Sequence, residues 1–473
     1  MADELDTPDS KNFADEIHRV IEREPGVFTL TMGETDQSYF RETIQARHPQ
    51  ERKAPLRTHV NIRAAQRALR SKLVALTDGA NAQAKMAILR AKSDTIIKAL
   101  MLAIIPVERE EDAFEIFETL NARGLRLAPP DLLLNYLMRV ANPKSDRKQI
   151  RSLWTEMLER MKTRDISKFL RAFWVSKYGD LKGNLFVALK AKIETEGTKS
   201  LQFARDCFAE CGKYNDIMNY DPQVIGEEAA PLVKVLIHRL KTQPAMALLL
   251  ASFDPKVSQS EFAQVCRYAL VFVTRYSIFA GLGGEGLENI LYRLAREVRG
   301  IVENTENGKS AKIAKQVKTA LMNEPPTNKI VTANLHELVL SGDDSIYVMH
   351  RIATHMQTST KELAMGEANL EHIYPSNPKP NEWGGPRGQE ILDPYLWHIG
   401  NLTWLGVRLN RDGARNEEYP VKQKKYSDAS ELEITTQIAK QYDEWNETNI
   451  LDRASKLGKT VLEIWNFDNP SRV

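Results

Sequence analysis

The sequence lacks the features that mark secreted and membrane proteins. It has no run of about 18 apolar residues, the length that a membrane-spanning helix needs. Its beginning is acidic and polar, without the apolar region of a secretory signal. Only three cysteines occur, Cys207, Cys211 and Cys266, and none has the Cys-x-x-Cys spacing typical of zinc sites. We therefore expect a cytoplasmic protein whose thiols are free.

The sequence also lacks a charge imbalance and a phosphate-binding loop. Its 65 Lys and Arg residues are balanced by 63 Asp and Glu residues, so a net charge of +2 says little about partners. The glycine-rich run at residues 281–286 has no Lys-Ser or Lys-Thr after it and follows no clear strand. A flexible loop between helices is therefore the better interpretation of that run.

Apolar periodicity divides the chain into three regions. Helical spacing, with short strand-like pieces at 27–33 and 103–109, indicates a partial α/β region at residues 1–140. Helix follows helix over residues 141–345. Five of the seven tryptophans, together with loops and short strands, lie within residues 346–473. We predict a mainly α protein with small α+β parts and these three domains.

Two predicted helices are joined by the segment FETLNARGLRLAPPDLLLNYL. Gly124 tolerates the left-handed conformation that closes a helix, and Pro129 and Pro130 suit the first turn of the next helix. A simple connection between helices explains these residues well. It gives less reason for Asn121 and Arg123, because a helix cap does not need a guanidinium.

An ordered set of polar residues follows in the C-terminal region. Glu371 and His372 lie on a short β segment, LEHIYP, that Pro375 keeps from continuing as a helix. A second β segment, HIGNLTWL, contains Asn401, and the stretch RLN supplies Asn410. A buried structural histidine would explain His372 alone. Strand, loop, strand and helix with His, Asn and Asn in these places is the plan of a ββα-metal, or HNH, nuclease.

Phosphodiester hydrolysis gives each of these residue types a task. A neutral imidazole at His372 suits the deprotonation of water near neutral pH. Oxygen atoms of Glu371 and Asn410 suit Mg²⁺ or Mn²⁺, which offsets charge on the phosphate and the leaving oxygen. Asn401 would position His372 or brace the loop. Adjacent strand residues point to opposite faces, so Glu371 and His372 can share a site only if the strand twists or ends there.

Basic residues follow the second β segment closely. Arg408, Arg411, Lys422 and Lys424 are predicted to hold the DNA phosphates that flank the cleaved bond. A solvated surface loop is the alternative interpretation of this run. His398 is interpreted as a residue that braces the loop rather than as a metal ligand.

The C-terminal region resembles the His-x-x-Pro, HNH-like nuclease domain of GmrSD-type modification-dependent restriction enzymes and related phage-defence nucleases. The matching stretches are LEHIYP, WHIGNLTWL, RLN and KKYS. The segment around residues 117–137 resembles the end of that family's N-terminal nucleotide-hydrolysing domain, and KFLRAFWVSKYGDLKGNLF resembles its helical middle. The resemblance implies a DNA endonuclease that depends on Mg²⁺ or Mn²⁺ and acts on modified phage DNA.

The front of the chain departs from that family. The family normally opens with a ParB-like NTPase segment that carries an Asp-Gly-Gln-Gln-Arg motif, and this sequence contains no such motif. We therefore expect residues 1–140 to form an incomplete domain whose missing part is lost or supplied by a separate protein. Asn121, Arg123 and Gly124 would be the remnant of its nucleotide site. The alternatives to a DNA endonuclease are a DNA-binding, regulatory subunit that does not cut, and a nuclease that acts on RNA.

Overall fold

Helices make up most of the chain, as the apolar periodicity predicts. The computed structural model describes residues 2–99, 101, 129–143, 145–162, 164–179, 181, 185–196, 199–340, 342–357, 368–410 and 415–469. The strand predicted at 103–109 lies outside the described residues, as do Asn121, Arg123, Gly124 and Arg411. Within the described residues, no helix is both long enough and apolar enough to cross a membrane.

The chain divides into two compact units. The first comprises residues 1–126 and 155–164, and the second comprises residues 127–154 and 165–473. The three domains predicted at 1–140, 141–345 and 346–473 stay a prediction.

The first unit begins with a capped helix and a small hairpin. Its elements are α1 (Pro8–Ile21), β1 (Glu22–Glu24), β2 (Val27–Phe28), α2 (Glu34–Phe40, continued by a π-helical turn at Arg41–Gln45), α3 (Arg57–Leu76) and α4 (Ala82–Ala99). Thr7 and Ser10 form a reciprocal capping box that starts α1. Strand β2 is shorter than the piece predicted at 27–33, because α1 continues to residue 21 and leaves β1 only three residues for pairing.

The second unit contains the longer series of helices. Its helices before residue 341 are α5 (Pro129–Val140), α6 (Asp146–Met161, shared between the units), α7 (Ile166–Tyr178), α8 (Leu185–Glu196), α9 (Ser200–Asn219), α10 (Pro222–Ile225), α11 (Ala229–Val233, continued by a π-helical turn at Lys234–Arg239), α12 (Ala245–Ser252), α13 (Gln259–Val273, continued at Thr274–Phe279), α14 (Gly284–Asn304), α15 (Ala314–Met322) and α16 (Asn328–Asn334). After them come α17 (Gly342–Met356), β3 (Ala368–His372), α18 (Gly385–Leu392), β4 (Leu402–Gly406), α19 (Val407–Leu409), α20 (Tyr419–Asp428), α21 (Glu433–Gln441) and α22 (Glu447–Ile464).

Helix α12 lies at the centre of the second unit. All eight of its residues are buried, because the sequence AMALLLAS has no polar face to turn towards water. It packs against α7 and α14. Apolar spacing predicts six core side chains in this region; Trp154, Phe169, Leu170, Phe173 and Trp174 are buried, and Leu158 is half-buried. The three cysteines are also buried and free, as predicted.

The C-terminal part of this unit surrounds a strand pair with helices. Strands β3 and β4 pair antiparallel, and α17 and α21 pack against them. A separate apolar cluster fills the space between the strands and the last helices, and it includes Ile373, Tyr374, Leu405, Tyr426 and Ile450. This cluster fixes the loops around the strand pair, where the predicted site residues lie.

Candidate active site

The strand pair sets the positions of the predicted site residues. The register pairs Ala368 with Gly406 and His372 with Leu402, so His372 is the last residue of β3. Pro375 follows three residues later and keeps the chain from continuing as a helix. Helix α18 lies between β3 and β4 in sequence, and helices α19 and α20 follow β4.

Alternation along β3 separates its polar side chains into two environments. Asn369 and Glu371 lie on one face, whereas Leu370 and His372 lie on the other. Side chains on the two faces can share a site only if the strand twists or ends at His372. Strand β3 does end at His372.

His372 has one ring nitrogen fixed and the other outside any hydrogen bond among the described residues. Its Nδ1 lies 2.8 Å from the carbonyl oxygen of Leu396, which can only accept, so Nδ1 carries the proton. In the neutral ring Nε2 therefore has a lone pair. Burial lowers the pKa of His372, although the bond to Leu396 raises it. The ring also packs edge-on against Trp397, with 4.4 Å between ring centroids.

Asn401 is fully buried and fixes the chain beyond the imidazole. Its Oδ1 accepts from the backbone N–H of Tyr374 at 2.8 Å and from the indole N–H of Trp445 at 3.0 Å. Its Nδ2 donates to the carbonyls of Tyr374 and Leu396 at 3.0 and 3.1 Å. The Leu396 carbonyl is the same one that accepts from the imidazole. Asn401 therefore acts on His372 through a shared carbonyl and does not touch its ring.

Glu371 lies on the other face in a buried ion pair. The ammonium of Lys422, which is fully buried in α20, donates to Glu371 Oε1 at 2.6 Å and to the carbonyl of His372 at 2.7 Å. The hydroxyl of Tyr426 donates to the same Oε1 at 3.4 Å. Burial raises the pKa of Glu371 and lowers that of Lys422, and the attraction between the two charges opposes both shifts. Lys422 thus contacts both the Glu371 side chain and the backbone of His372 at the end of β3.

Asn410 lies within hydrogen-bond distance of the Glu371 carboxylate. Its Nδ2 donates to Asn369 Oδ1 at 3.0 Å, and it also hydrogen-bonds the Glu371 carboxylate. Carboxylate and amide oxygens are the donors that Mg²⁺ and Mn²⁺ prefer, so Glu371 and Asn410 have suitable donor types, although Glu371 Oε1 already accepts from Lys422. Among the described residues, no cluster of three or more His, Cys, Asp and Glu side chains has the arrangement of a metal site.

The predicted phosphate-binding residues differ in exposure. Arg408 in α19 and Lys424 in α20 are exposed. Lys422 is not, because it lies on the buried face of α20 together with Tyr419 and Tyr426. A contact between Lys422 and DNA phosphate does not fit this placement. The spacing 419, 422 and 426 is helical and could have revealed this face in the sequence.

The loop before β4 is held by residues that do not face the site. His398 is buried, with Nε2 donating to the carbonyl of His336 at 3.0 Å and Nδ1 accepting from the N–H of Gly400 at 3.1 Å. Buried Arg453 donates to the carbonyls of Gly400 and Leu402, both at 2.7 Å, and burial lowers its pKa to about 10. His398 therefore stabilises the loop before β4, in agreement with its interpretation from the sequence.

Three contributors to this arrangement were absent from the sequence prediction. The role of the Leu396 carbonyl could not be predicted from the sequence, because every residue has a backbone carbonyl. Asn369 did have a signal, since it stands two residues before Glu371 and so shares its face. Tyr426 had one as well, because it lies four residues after Lys422 on the same helix.

Comparison with known families supports the resemblance in this part of the chain. Residues 326–460 match the model of the GmrSD restriction endonucleases, C-terminal domain. The matched segment contains both strands, the helices packed on them and every described residue predicted for the nuclease site. A comparison with curated proteins finds no match.

Proposed function

Because residues 326–460 carry a GmrSD-type C-terminal domain, we propose that this chain is a restriction endonuclease that hydrolyses DNA with His372 as general base. The observation that carries the proposal is the imidazole itself. Its Nδ1 is fixed by a backbone carbonyl, and its Nε2 lone pair is free to accept a proton from water. A strand pair with a helix after its second strand is similar to the plan of an HNH, or ββα-metal, nuclease, although α18 lies between the two strands.

Burial and a backbone hydrogen bond, rather than a charged partner, set the protonation state and the tautomer of His372. Burial lowers the pKa of His372, so its ring is neutral and able to accept a proton at physiological pH. The carbonyl of Leu396 selects the tautomer, and Asn401 holds that carbonyl in place. We assign Asn401 as a positioning residue, because its fully buried amide makes all its contacts with protein atoms and does not reach a substrate.

Glu371 and Asn410 would hold the divalent ion, Mg²⁺ or Mn²⁺. Bound there, the ion supplies positive charge that offsets the charge developing on the scissile phosphate and the leaving 3′ oxygen. Lys422 keeps Glu371 oriented and favours its ionised form, since a nearby ammonium lowers the pKa of a carboxyl group. Lys422 thereby takes a supporting role in place of the phosphate contact predicted from the sequence.

Flanking phosphates would be held by exposed basic side chains, Arg408 and Lys424, with Arg411 between them in sequence. We propose modified phage DNA as the substrate, as in the GmrSD-type resemblance. A partner protein that carries the Asp-Gly-Gln-Gln-Arg motif would complete a nucleotide site with Asn121, Arg123 and Gly124. These proposals about substrate and partner rest on the sequence resemblance.

One observation favours a second candidate, a subunit that binds DNA without cutting it. Glu371 is only 4% exposed, and an ammonium already neutralises its charge. An ion pair of this kind competes with a divalent cation for the same carboxylate oxygen. A domain in which the pair persists would still present Arg408 and Lys424 to DNA.

Cleavage assays separate these candidates. The protein is incubated with supercoiled plasmid, with glucosylated phage DNA and with RNA, each with Mg²⁺, Mn²⁺ or EDTA. We expect metal-dependent cutting of DNA, reduced at least about 100-fold in His372→Ala because general base catalysis is lost. His48→Ala is the control, since His48 is exposed in the first unit.

Equal cutting by the wild type and His372→Ala would contradict the assigned base. Salt-dependent DNA binding without cutting under any metal condition would support the non-cleaving subunit. Cutting of RNA alone would identify the substrate as RNA.

A further inference from the structure

A cavity of about 640 Å³ lies among the helices of the second unit, away from the residues predicted for the nuclease site. Its walls come from α11 and the π-helical turn that continues it, from α13 and from α17. A volume of this size is typical of pockets that bind small molecules. The cavity could not be predicted from the sequence, because its lining residues range from Glu228 to Arg351.

Basic side chains dominate the polar part of the cavity wall. Six basic or imidazole side chains line it: Lys234, His238, Arg239, Arg267, His350 and Arg351. Two carboxylates lie among them, and both have cationic partners already. Glu228 pairs with Arg267 at 2.9 Å, and Asp343 pairs with Lys241 at 3.4 Å. The cavity therefore has an excess of positive charge.

Arg239 is the clearest uncompensated cation. Within the part of the chain that the structure describes, no carboxylate forms an ion pair with it, and it lies half-buried at the cavity wall. Burial lowers the pKa of the neighbouring His350, and the charges of Arg351 and Arg239 lower it further. Two guanidinium groups therefore lie close enough to one half-buried imidazole to disfavour its charged form.

The remaining wall is apolar. Pro231, Leu232, Val235 and Leu270 contribute aliphatic surface, and the buried Tyr347 adds an aromatic side chain. A wall that combines basic and apolar side chains matches a ligand with phosphate groups and a flat, weakly polar part. A nucleotide has both features, and its size fits the cavity.

We propose that this cavity is a binding site for the phosphate groups of a nucleotide-sized ligand, with Arg239 as the principal phosphate contact. Arg guanidinium binds phosphate oxygens in a bidentate manner and loses little hydration in doing so. The phosphate could belong to a free nucleoside polyphosphate or to a nucleic acid backbone. The proposal is independent of nuclease activity, because it concerns different residues and a binding equilibrium.

Isothermal titration calorimetry on the full chain tests the site with four probes: ATP, GTP, adenosine, and a 20-base-pair DNA duplex. We expect ATP or GTP to bind and adenosine to bind at least about 10-fold more weakly, because the phosphates supply the charge-assisted hydrogen bonds. Arg239→Gln should weaken nucleotide binding about 10-fold or more. Arg296→Gln is the matched control, since it removes the same charge from an exposed position on α14.

The two sources of phosphate give different patterns. A loss in Arg239→Gln for ATP or GTP identifies a free nucleotide, whereas a loss confined to the duplex identifies a nucleic acid backbone. Thermal unfolding of both variants checks that each is folded, and Arg239→Lys should restore part of the affinity because it restores the charge. Binding of ATP, GTP and duplex that is equal in the wild type and Arg239→Gln overturns the proposal, as does adenosine binding as tightly as ATP.

Discussion

The two faces of β3 carry adjacent residues in opposite chemical states. His372 has a partly exposed ring with an available lone pair, whereas Glu371 is buried and neutralised by an ammonium. The imidazole is oriented by one backbone carbonyl, that of Leu396, whereas the carboxylate is held by the side chains of Lys422 and Tyr426 from a helix about 50 residues later in sequence. The comparison shows that one step along a strand can separate a ring with an available lone pair from a carboxylate held in a buried ion pair.

The largest effect should be a loss of unfolding free energy when the buried ion pair of Glu371 and Lys422 is broken. In Lys422→Met, Glu371 would remain buried without a cation, and breaking a buried pair in this way costs about 3–5 kcal/mol of unfolding free energy. The double variant Glu371→Gln/Lys422→Met should recover much of that loss, because it leaves no uncompensated charge. Urea unfolding followed by circular dichroism measures both.

Lys424→Met is the control for this comparison, since it changes an exposed lysine of the same helix. Losses below about 1 kcal/mol in Lys422→Met would show that the pair in the wild type is not needed to hold the carboxylate.

The second largest effect, on stability and on kcat, should come from Asn401, which shares the Leu396 carbonyl with the imidazole of His372. Asn401→Ala leaves the Tyr374 N–H and the Trp445 indole N–H without an acceptor, at a cost on the order of 3 kcal/mol. If the proposed cleavage activity is found, kcat should fall more than KM changes, because the base loses orientation while DNA contacts remain. Steady-state cleavage at a temperature where the variant is folded provides the measurement.

Asn377→Ala, an exposed asparagine in the loop after Pro375, serves as the control. Wild-type kcat in a folded Asn401→Ala variant would separate Asn401 from the positioning of His372.

A smaller effect is expected from pH, through the histidine that braces the loop. Burial lowers the pKa of His398 in the folded state below its value of about 6.5 in the unfolded chain. The unfolded chain then binds more protons, so this contribution to stability is present above pH 6.5 and is lost as pH falls towards the folded-state pKa. Protonation would also end the hydrogen bond from Gly400 to Nδ1.

We expect His398→Gln to reduce the slope of unfolding free energy against pH between 7.5 and 5.5, by up to about 1.4 kcal/mol per pH unit. Burial also lowers the pKa values of His372 and His350, so part of the slope should remain. Chemical unfolding at five pH values gives the slopes, with His48→Gln as the control. An unchanged slope in His398→Gln would show that this histidine does not bind its proton differently on folding.

The smallest effect should be the loss of DNA affinity when an exposed basic residue is replaced. Arg408→Gln and Lys424→Gln are each expected to weaken DNA binding a few-fold and to lower the salt dependence of binding by about one counterion. Fluorescence anisotropy with a labelled duplex at several salt concentrations measures both quantities. Lys459→Gln on α22 is the control, and a salt dependence equal to the wild type in both variants would remove these residues from the DNA contact.

Some parts of this arrangement could be predicted from local sequence. The helices follow from apolar spacing, the end of β3 follows from the position of Pro375, and the pairing of β3 with β4 brings Asn401 close to His372. Glu371 and Asn410 form a hydrogen bond, while their role as metal ligands stays a prediction. The resemblance to the GmrSD family is supported for residues 326–460.

Other parts could not be predicted from residue type. Lysine is mostly found at surfaces, so Lys422 was assigned to phosphate, yet its helix turns it towards β3, where a carboxylate offsets the cost of burial. The Leu396 carbonyl fixes the tautomer of His372 without any dependence on the residue that supplies it. The basic cavity is formed by α11, α13 and α17, whose side chains converge only when the helices pack.

The sequence by itself determined the mainly helical architecture and indicated where along the chain the candidate site lies, because helical periodicity and strand alternation are local properties of the chain. Only the tertiary structure decided the state of each residue at that site. Whether a charge is paired, which nitrogen carries a proton and which side chain is buried depend on neighbours brought together from distant segments. For Glu371 and His372, adjacent in sequence, those neighbours made one a buried anion held by an ammonium and the other a neutral ring with an open lone pair.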